Sequence, residues 1–275
     1  MMNAERFAAL FQGSDRAHCT ATMLCAAEAG KKIKPGYLTV MEPAGQSHCA
    51  AHLKGETGLA LIPIRSDASC LFGAIDIDEY ADLDLPALEA KCAALKLPLI
   101  VCRSKSGGAH LYFLLRGAAT AARVRALLAK WAAVLGYSKS EIFPKQTALD
   151  KPEDVGNGIN LPYFDAERTT RYAVQAGKAV SFDEFLTAAE SARTTIEAAE
   201  AIELPNDDAL TDGPPCLQAM VARGIGEGER NKFLFNLGVY ARLRFGDDWK
   251  TKLEGYNHEL LPEPLKAKEM LGVIK

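Results

Sequence analysis

The stretch CLFGAIDIDEY, residues 70–80, runs apolar for six residues and then places carboxylates at Asp76 and Asp78. It reads as a buried strand with an acidic end. Side chains alternate along a strand, so Asp76 and Asp78 share one face while Ile75 and Ile77 turn the other way into a core. Two carboxylates held side by side repel each other, so they need a cation or a shared proton between them. Oxygen ligands of this kind suit a hard divalent ion such as Mg²⁺. Asp-x-Asp is common, however, and the same pair also suits a solvated strand end near a helix N-cap.

Working outward, GLALIPI (58–64) reads as a strand before this one, and LPLIVCRS (97–104) and HLYFLL (110–115) as strands after it. LPALEAKCAALK (85–96) is an amphipathic helix with Leu88, Cys92 and Leu95 on one face. TAARVRALLAKWAAVLG (120–136) is a second, stopped by its glycine. SEIFPKQ (140–146), INLPYF (159–164) and RYAVQAG (171–177) are further strand candidates. Residues 181–202 read as one helix capped by Ser181. Toward the N-terminus, 4–11 and 20–30 read as short helices, and 31–56 as loops around the strand GYLTVME. The order predicts an α+β fold with a mainly antiparallel sheet flanked by helices. The proline-bearing polar stretch ELPNDDALTDGPP (203–215) breaks the periodicity. It is expected to link a catalytic domain, 1–202, to a small helical module, 216–275.

Composition narrows the function less than the motifs do. The net charge of −3 announces no nucleic-acid partner, so any such surface has to be local. Arg123, Arg125, Lys130, Lys139, Lys145, Arg168 and Arg171 are candidates for it. The seven cysteines form no CxxC pair and read as reduced, mostly buried thiols. The N-terminus has no signal-peptide core, and no apolar run approaches the ~20 residues that cross a bilayer. A cytoplasmic protein without membrane contact is expected.

RSKSGGAHLYF (103–113) is a strand end, a Ser/Gly turn and a new strand. Arg103, Lys105, the Ser104 and Ser106 hydroxyls and the backbone N–H groups around Gly107 are the donors that hold a triphosphate, with His110 at the base of the turn. The same residues also make an ordinary hairpin with a half-buried histidine. Glu141, opening the strand EIF, could bring a third carboxylate, with Lys145 and Gln146 behind it. Taken together, three carboxylates from two strands and a phosphate-cradling hairpin describe a two-metal nucleotidyl-transfer site, with ions about 3.5–4 Å apart. That combination is more specific than any one of its parts.

In order and spacing, DIDEY, SKSGGAHLYF and EIFPKQ…GNGINLPYF resemble the three motifs of the archaeo-eukaryotic primase superfamily, over about residues 1–175. The wording is similar to that of phage, plasmid and conflict-system primase-polymerases. The resemblance implies a primase-type core with an RRM-like sheet. It implies that Asp76, Asp78 and Glu141 are catalytic and bind Mg²⁺ or Mn²⁺, Glu141 standing where many relatives carry Asp. It assigns the incoming nucleotide to Arg103, Lys105, Ser106, Gly107 and His110. It places Asn157 and Asn160 along the nucleotide or template path and leaves Tyr80 either stacking on a sugar or base or sitting in the core. The tail resembles a helical module that assists priming, with Arg230 and Lys232 at a helix start that suits phosphate.

The implied partners are a single-stranded DNA template, a primer and NTPs or dNTPs. Larger relatives continue into a replicative helicase, so a chain ending at Lys275 is a stand-alone enzyme or a fragment. A gap-filling repair polymerase would carry the same catalytic residues. A non-catalytic nucleic-acid-binding module would not need all three carboxylates. His48, Cys49 and His52, with His18 and Cys19 upstream, match no standard structural zinc spacing, and zinc is not expected. The HLKG segment is read as structural or template-facing.

Overall fold

A computed structural model describes residues 2–22, 36–80, 83–151, 153–204, 210, 213–261 and 263–274. The chain divides into two compact units, Met1–Ile202 and Glu203–Lys275. In the first, α1 (Met2–Leu10) leads into β1 (His18–Thr22), β2 (Gly36–Val40), α2 (Gln46–Leu53) and β3 (Gly58–Leu61). Next come β4 (Ser69–Ile77), α3 (Leu85–Ala94), β5 (Leu99–Arg103), β6 (Ala109–Thr120), α4 (Ala121–Leu135) and β7 (Glu141–Phe143). Short strands β8 (Ile159–Asn160), β9 (Val174–Gln175) and β10 (Lys178–Ala179) precede α5 (Phe182–Ala192) and α6 (Ile196–Glu200).

From β4 to β7 the elements run βαββαβ. Their sheet has the order β5-β6-β4-β7, with every pairing antiparallel. This is the RRM-like sheet the sequence predicts. A second antiparallel sheet, β2-β1-β3-β8, is separate from it.

Alternation along β4 sets the layers. Phe72 and Ala74 join an aromatic core with Phe7, Phe11, Tyr112, Phe143, Tyr163 and Phe185. Burying each such ring contributes about 1.5–3 kcal/mol. The opposite face takes α4, where Trp131 meets Phe113 edge-on at 5.1 Å. Thr120 caps α4 by accepting from Arg123 N, and Gly136 ends it in the left-handed conformation. Asp84 caps α3 in the same way through Ala87 N.

The structure corrects three expectations. Thr20–Thr22 is strand rather than helix, because β1 pairs with β2 on one side and β3 on the other; the remainder of the helix expected over 20–30 lies outside the described residues. The loop expected around 46–53 is helix α2, with the His48 ring accepting from Gly45 N at its start. The single helix expected over 181–202 is broken. α5 begins with a Ser181–Glu184 capping box. The chain then extends at Arg193, whose guanidinium donates to Leu115 O at 2.9 Å, while Thr194 N donates to Leu114 O at 3.2 Å. Thr195 caps the new helix α6.

His52 of α2 belongs to the core. It is fully buried, accepts from Leu59 N at 3.0 Å and donates to Pro162 O at 2.9 Å. Burial pushes its pKa from 6.5 down to about 4. The unfolded chain therefore binds a proton that the fold refuses, and stability present above pH 6.5 is lost as pH falls toward about 4. Between pH 7 and pH 5 the wild type is expected to lose about 2 kcal/mol more than His52→Gln in urea denaturation. Equal losses would remove His52 as the cause.

The second unit is helical: α7 (Pro215–Arg223), α8 (Arg230–Phe245), α9 (Trp249–Leu260) and α10 (Ala267–Ile274). Leu217, Phe233, Leu237, Leu253, Tyr256 and Met270 are among the residues of its core. The buried Asn257 amide holds Leu265 by both its N–H and its carbonyl. Arg230 donates to Glu263 O at 2.9 Å and to its carboxylate at 3.3 Å, so this helix start already has an anionic partner. Among the described residues, no helix is long and apolar enough to cross a membrane.

Candidate active site

The register of the central sheet assembles the site. Asp76 on β4 stands opposite His110 on β6 and opposite Glu141 on β7. Residues directly opposite share a face. The same alternation that sends Phe72 and Ala74 into the aromatic core therefore sends Asp76 to the end of that core, where apolar packing stops. Asp78 follows just past the last residue of β4 and accepts from the Tyr80 hydroxyl at 2.7 Å. That carboxylate pushes the Tyr80 phenol upward. Tyr80 is exposed, so the core position weighed for it is not taken. Glu141 is exposed and pairs with Lys145 at 2.6 Å.

Asp76 is the most constrained of the three. Its Oδ1 is buried and makes no hydrogen bond, although His110 Nε2 stands 3.2 Å away. The Tyr112 hydroxyl, fully buried, donates to the Asn160 carbonyl and so accepts from His110 Nδ1 at 2.9 Å. This hydrogen-bond pattern places a proton on Nδ1 and leaves Nε2 as the ring nitrogen that faces Asp76 Oδ1. A buried carboxylate oxygen without a hydrogen bond fits a bound cation. The donor set of carboxylate oxygens fits Mg²⁺ or Mn²⁺. Among the described residues, the three carboxylates do not all close to within 4.8 Å of one another.

The Ser/Gly turn lies against the acidic strand end. Ser104 N donates to Gly108 O at 2.8 Å, and Gly107 takes a φ of +103°. Gly108 packs so closely that a Cβ there would stand 2.1 Å from Ile77 O. Ser106 hydrogen-bonds Tyr80, which joins the turn to the Asp78 segment. Arg103 ends β5, and its guanidinium donates to Thr170 O at 3.2 Å. Lys105 is pulled downward by desolvation and then by the charge of Arg171. Arg171 is itself buried against the Phe164 ring and the Leu161 carbonyl. Arg103, Lys105, Ser106, Gly107 and His110 are thus gathered on β5, the turn and the start of β6.

Other candidates are held elsewhere. The Gln146 side-chain amide donates to Asn157 Oδ1 at 2.6 Å and accepts from the Asn157 backbone N–H at 3.2 Å, tying the third motif to the GNGIN segment. Asn160 lies on β8 and contributes its carbonyl to the Tyr112 relay. Arg123 forks onto Glu200, Arg168 pairs with Asp165, and Arg125 donates to the carbonyls of Ile142 and Pro144. These arginines contact the protein's own acceptors. Tyr112 and Gly108 were missed as site residues. Tyr112 was legible, since it lies two positions from His110 and must share its face.

Residues 20–191, more than half the chain, match the family model described as the archaeo-eukaryotic primase domain of TOTE conflict systems. No curated protein matches. Among solved structures, the chain is similar to the primase-polymerase domain of cyanophage S-2L, at 15% identity and a TM-score of 0.32, covering 63% of this chain and 89% of that one. It is also similar to the polymerase domain of Mycobacterium tuberculosis ligase D in complex with DNA, at 14% identity and a TM-score of 0.34, covering 74% and 91%.

Proposed function

The chain belongs to the archaeo-eukaryotic primase family of TOTE conflict systems, and from that premise we propose that it is a metal-dependent nucleotidyltransferase that makes or extends primers on single-stranded DNA. The observation that carries this reading is the orphaned Asp76 Oδ1, in register with His110 and Glu141. A binding module has no use for a buried carboxylate oxygen without a partner, which costs about 1–3 kcal/mol or more.

In this reading Asp76, Asp78 and Glu141 hold Mg²⁺ or Mn²⁺. When bound, the ions supply charge stabilisation at the phosphoryl oxygens. The protein's own work is orientation. The Tyr112–Asn160 relay fixes the His110 ring with Nε2 beside Asp76, and Nε2 would donate to a phosphate oxygen when it carries a proton. Ser106 and the Gly107 backbone offer donors to phosphate, and Arg103 and Lys105 supply positive charge. Glu141, which pairs with Lys145 at 2.6 Å, would exchange that partner for the ion.

The test is synthesis on unprimed single-stranded DNA with all NTPs and dNTPs, in Mg²⁺ or Mn²⁺, beside a lane carrying an annealed primer. New oligonucleotides are expected from the wild type and none from Asp76→Ala/Asp78→Ala. Extension without new starts would restrict the enzyme to polymerisation. DNA binding with no product in either lane would replace the reading with a binding module.

A further inference from the structure

We infer a second metal site, independent of the acidic strand end, formed by His18, Glu42 and His48. Among the described residues, these three are the group of His, Cys, Asp and Glu side chains whose ligand atoms lie within 4.8 Å of one another. They come from different segments: β1, the turn after β2 and the first turns of α2.

His18 is the anchor. It is fully buried, and its Nδ1 donates to the Glu42 carbonyl at 2.8 Å. A carbonyl only accepts, so the ring proton sits on Nδ1 and Nε2 is a bare lone pair. That nitrogen is buried and has no hydrogen-bond partner. A histidine that donates one ring N–H to a backbone carbonyl while offering the other nitrogen is arranged as metal-binding histidines are. The Glu42 carboxylate and His48 Nε2 approach each other to 3.4 Å, and the two imidazole rings lie 4.5 Å apart.

The donor set is two imidazoles and one carboxylate. It suits a borderline divalent ion, Zn²⁺ before Mg²⁺, with the fourth tetrahedral position left to water. One rearrangement is required. His48 Nδ1 accepts from Gly45 N at 3.0 Å, so its Nε2 carries the proton. Zinc would take the place of that proton, the neutral ring would carry its proton on Nδ1 instead, and Nδ1 would release the Gly45 N–H. Bound zinc would pin β1, the β2 turn and α2 together. The cysteines and His52 play no part: Cys49 and His52 are buried in the core, and burial pushes the Cys49 thiol up to about 11. The sequence brings His18 and His48 together as zinc candidates, but the expectation against zinc rests on spacing that omits Glu42, which nothing in the sequence links to them.

The test uses the full chain stripped of metal by chelation. It is titrated with Zn²⁺ against a chromogenic zinc indicator, in excess Mg²⁺ so that the oxygen-ligand site is not the one read. One Zn²⁺ per chain is expected, with a rise in melting temperature. His48→Ala and Glu42→Gln, on partly exposed side chains, are each expected to weaken binding at least about tenfold and to abolish the thermal rise while folding normally. His18→Gln should do the same if it folds. No saturable Zn²⁺, or equal binding in wild type, His48→Ala and Glu42→Gln, would overturn the site. So would zinc binding lost only in Asp76→Ala/Asp78→Ala.

Discussion

Asp76→Ala is expected to abolish nucleotide incorporation without destabilising the metal-free protein. The two effects separate because Asp76 is badly satisfied in the bare fold. Its Oδ1 is buried without a hydrogen bond, with His110 Nε2 3.2 Å away and the ring held by Tyr112. Removing an unsatisfied buried acceptor recovers part of its desolvation cost, about 1 kcal/mol. For a chain of this size that shifts the melting temperature by about 2–4 °C, upward in metal-free buffer. With the same side chain go several kcal/mol of charge stabilisation, or about a thousandfold in rate. Primer extension in Mn²⁺ and thermal melting in chelator, measured on one preparation, check both halves. A variant retaining a tenth of the wild-type rate would sink the metal assignment. A variant that melts well below wild type would make Asp76 a structural residue instead.

The central sheet was legible because its information is local. Alternation in CLFGAIDID gives the two faces of β4, and a glycine at 136 ends α4 as its type predicts. The acidic pair, the Ser/Gly turn and Glu141 were found for the same reason, since each is a short motif on a strand end. β1 was not legible. The run TATMLCAAEAG is rich in helix formers, and what makes Thr20–Thr22 a strand is pairing with β2 and β3, which a local window does not contain. The break between α5 and α6 escaped for a related reason. The alanine-rich period continues through it, and the carbonyl of Leu115 and the N–H of Thr194 that interrupt it belong to a contact with β6.

Charge depends on the fold in a similar way. Arg123 and Arg168 were candidates for a nucleic-acid groove, yet each finds a carboxylate partner. Sequence shows that a cation exists. Whether it is neutralised is a property of the fold. Arg171 is a buried guanidinium whose charge, after desolvation, lowers the proton affinity of Lys105.

Gly108→Ala is expected to cost about 1–3 kcal/mol of stability and to raise the apparent KM for nucleotide at least tenfold. The added Cβ would stand 2.1 Å from Ile77 O and 3.4 Å from Glu79 O, both backbone atoms. Neither can step aside cheaply. Ile77 is paired with Ala109 in the β4–β6 ladder, and Ser104 N holds the Gly108 carbonyl. The strain is relieved by lifting the turn from the strand end. That movement separates Ser106 and Lys105 from Asp76 and Asp78, so nucleotide binding suffers beyond what lost stability explains. Gly117→Ala is the matched control, because a Cβ there meets nothing within 4 Å. Urea denaturation and nucleotide titrations on both variants separate the effects. A Gly108→Ala protein within about 0.5 kcal/mol of Gly117→Ala would mean that the strand end yields without cost. A destabilised one with unchanged KM would mean that the turn does not hold the nucleotide. Only the joint change fits a turn pressed onto the acidic strand end because its donors act there.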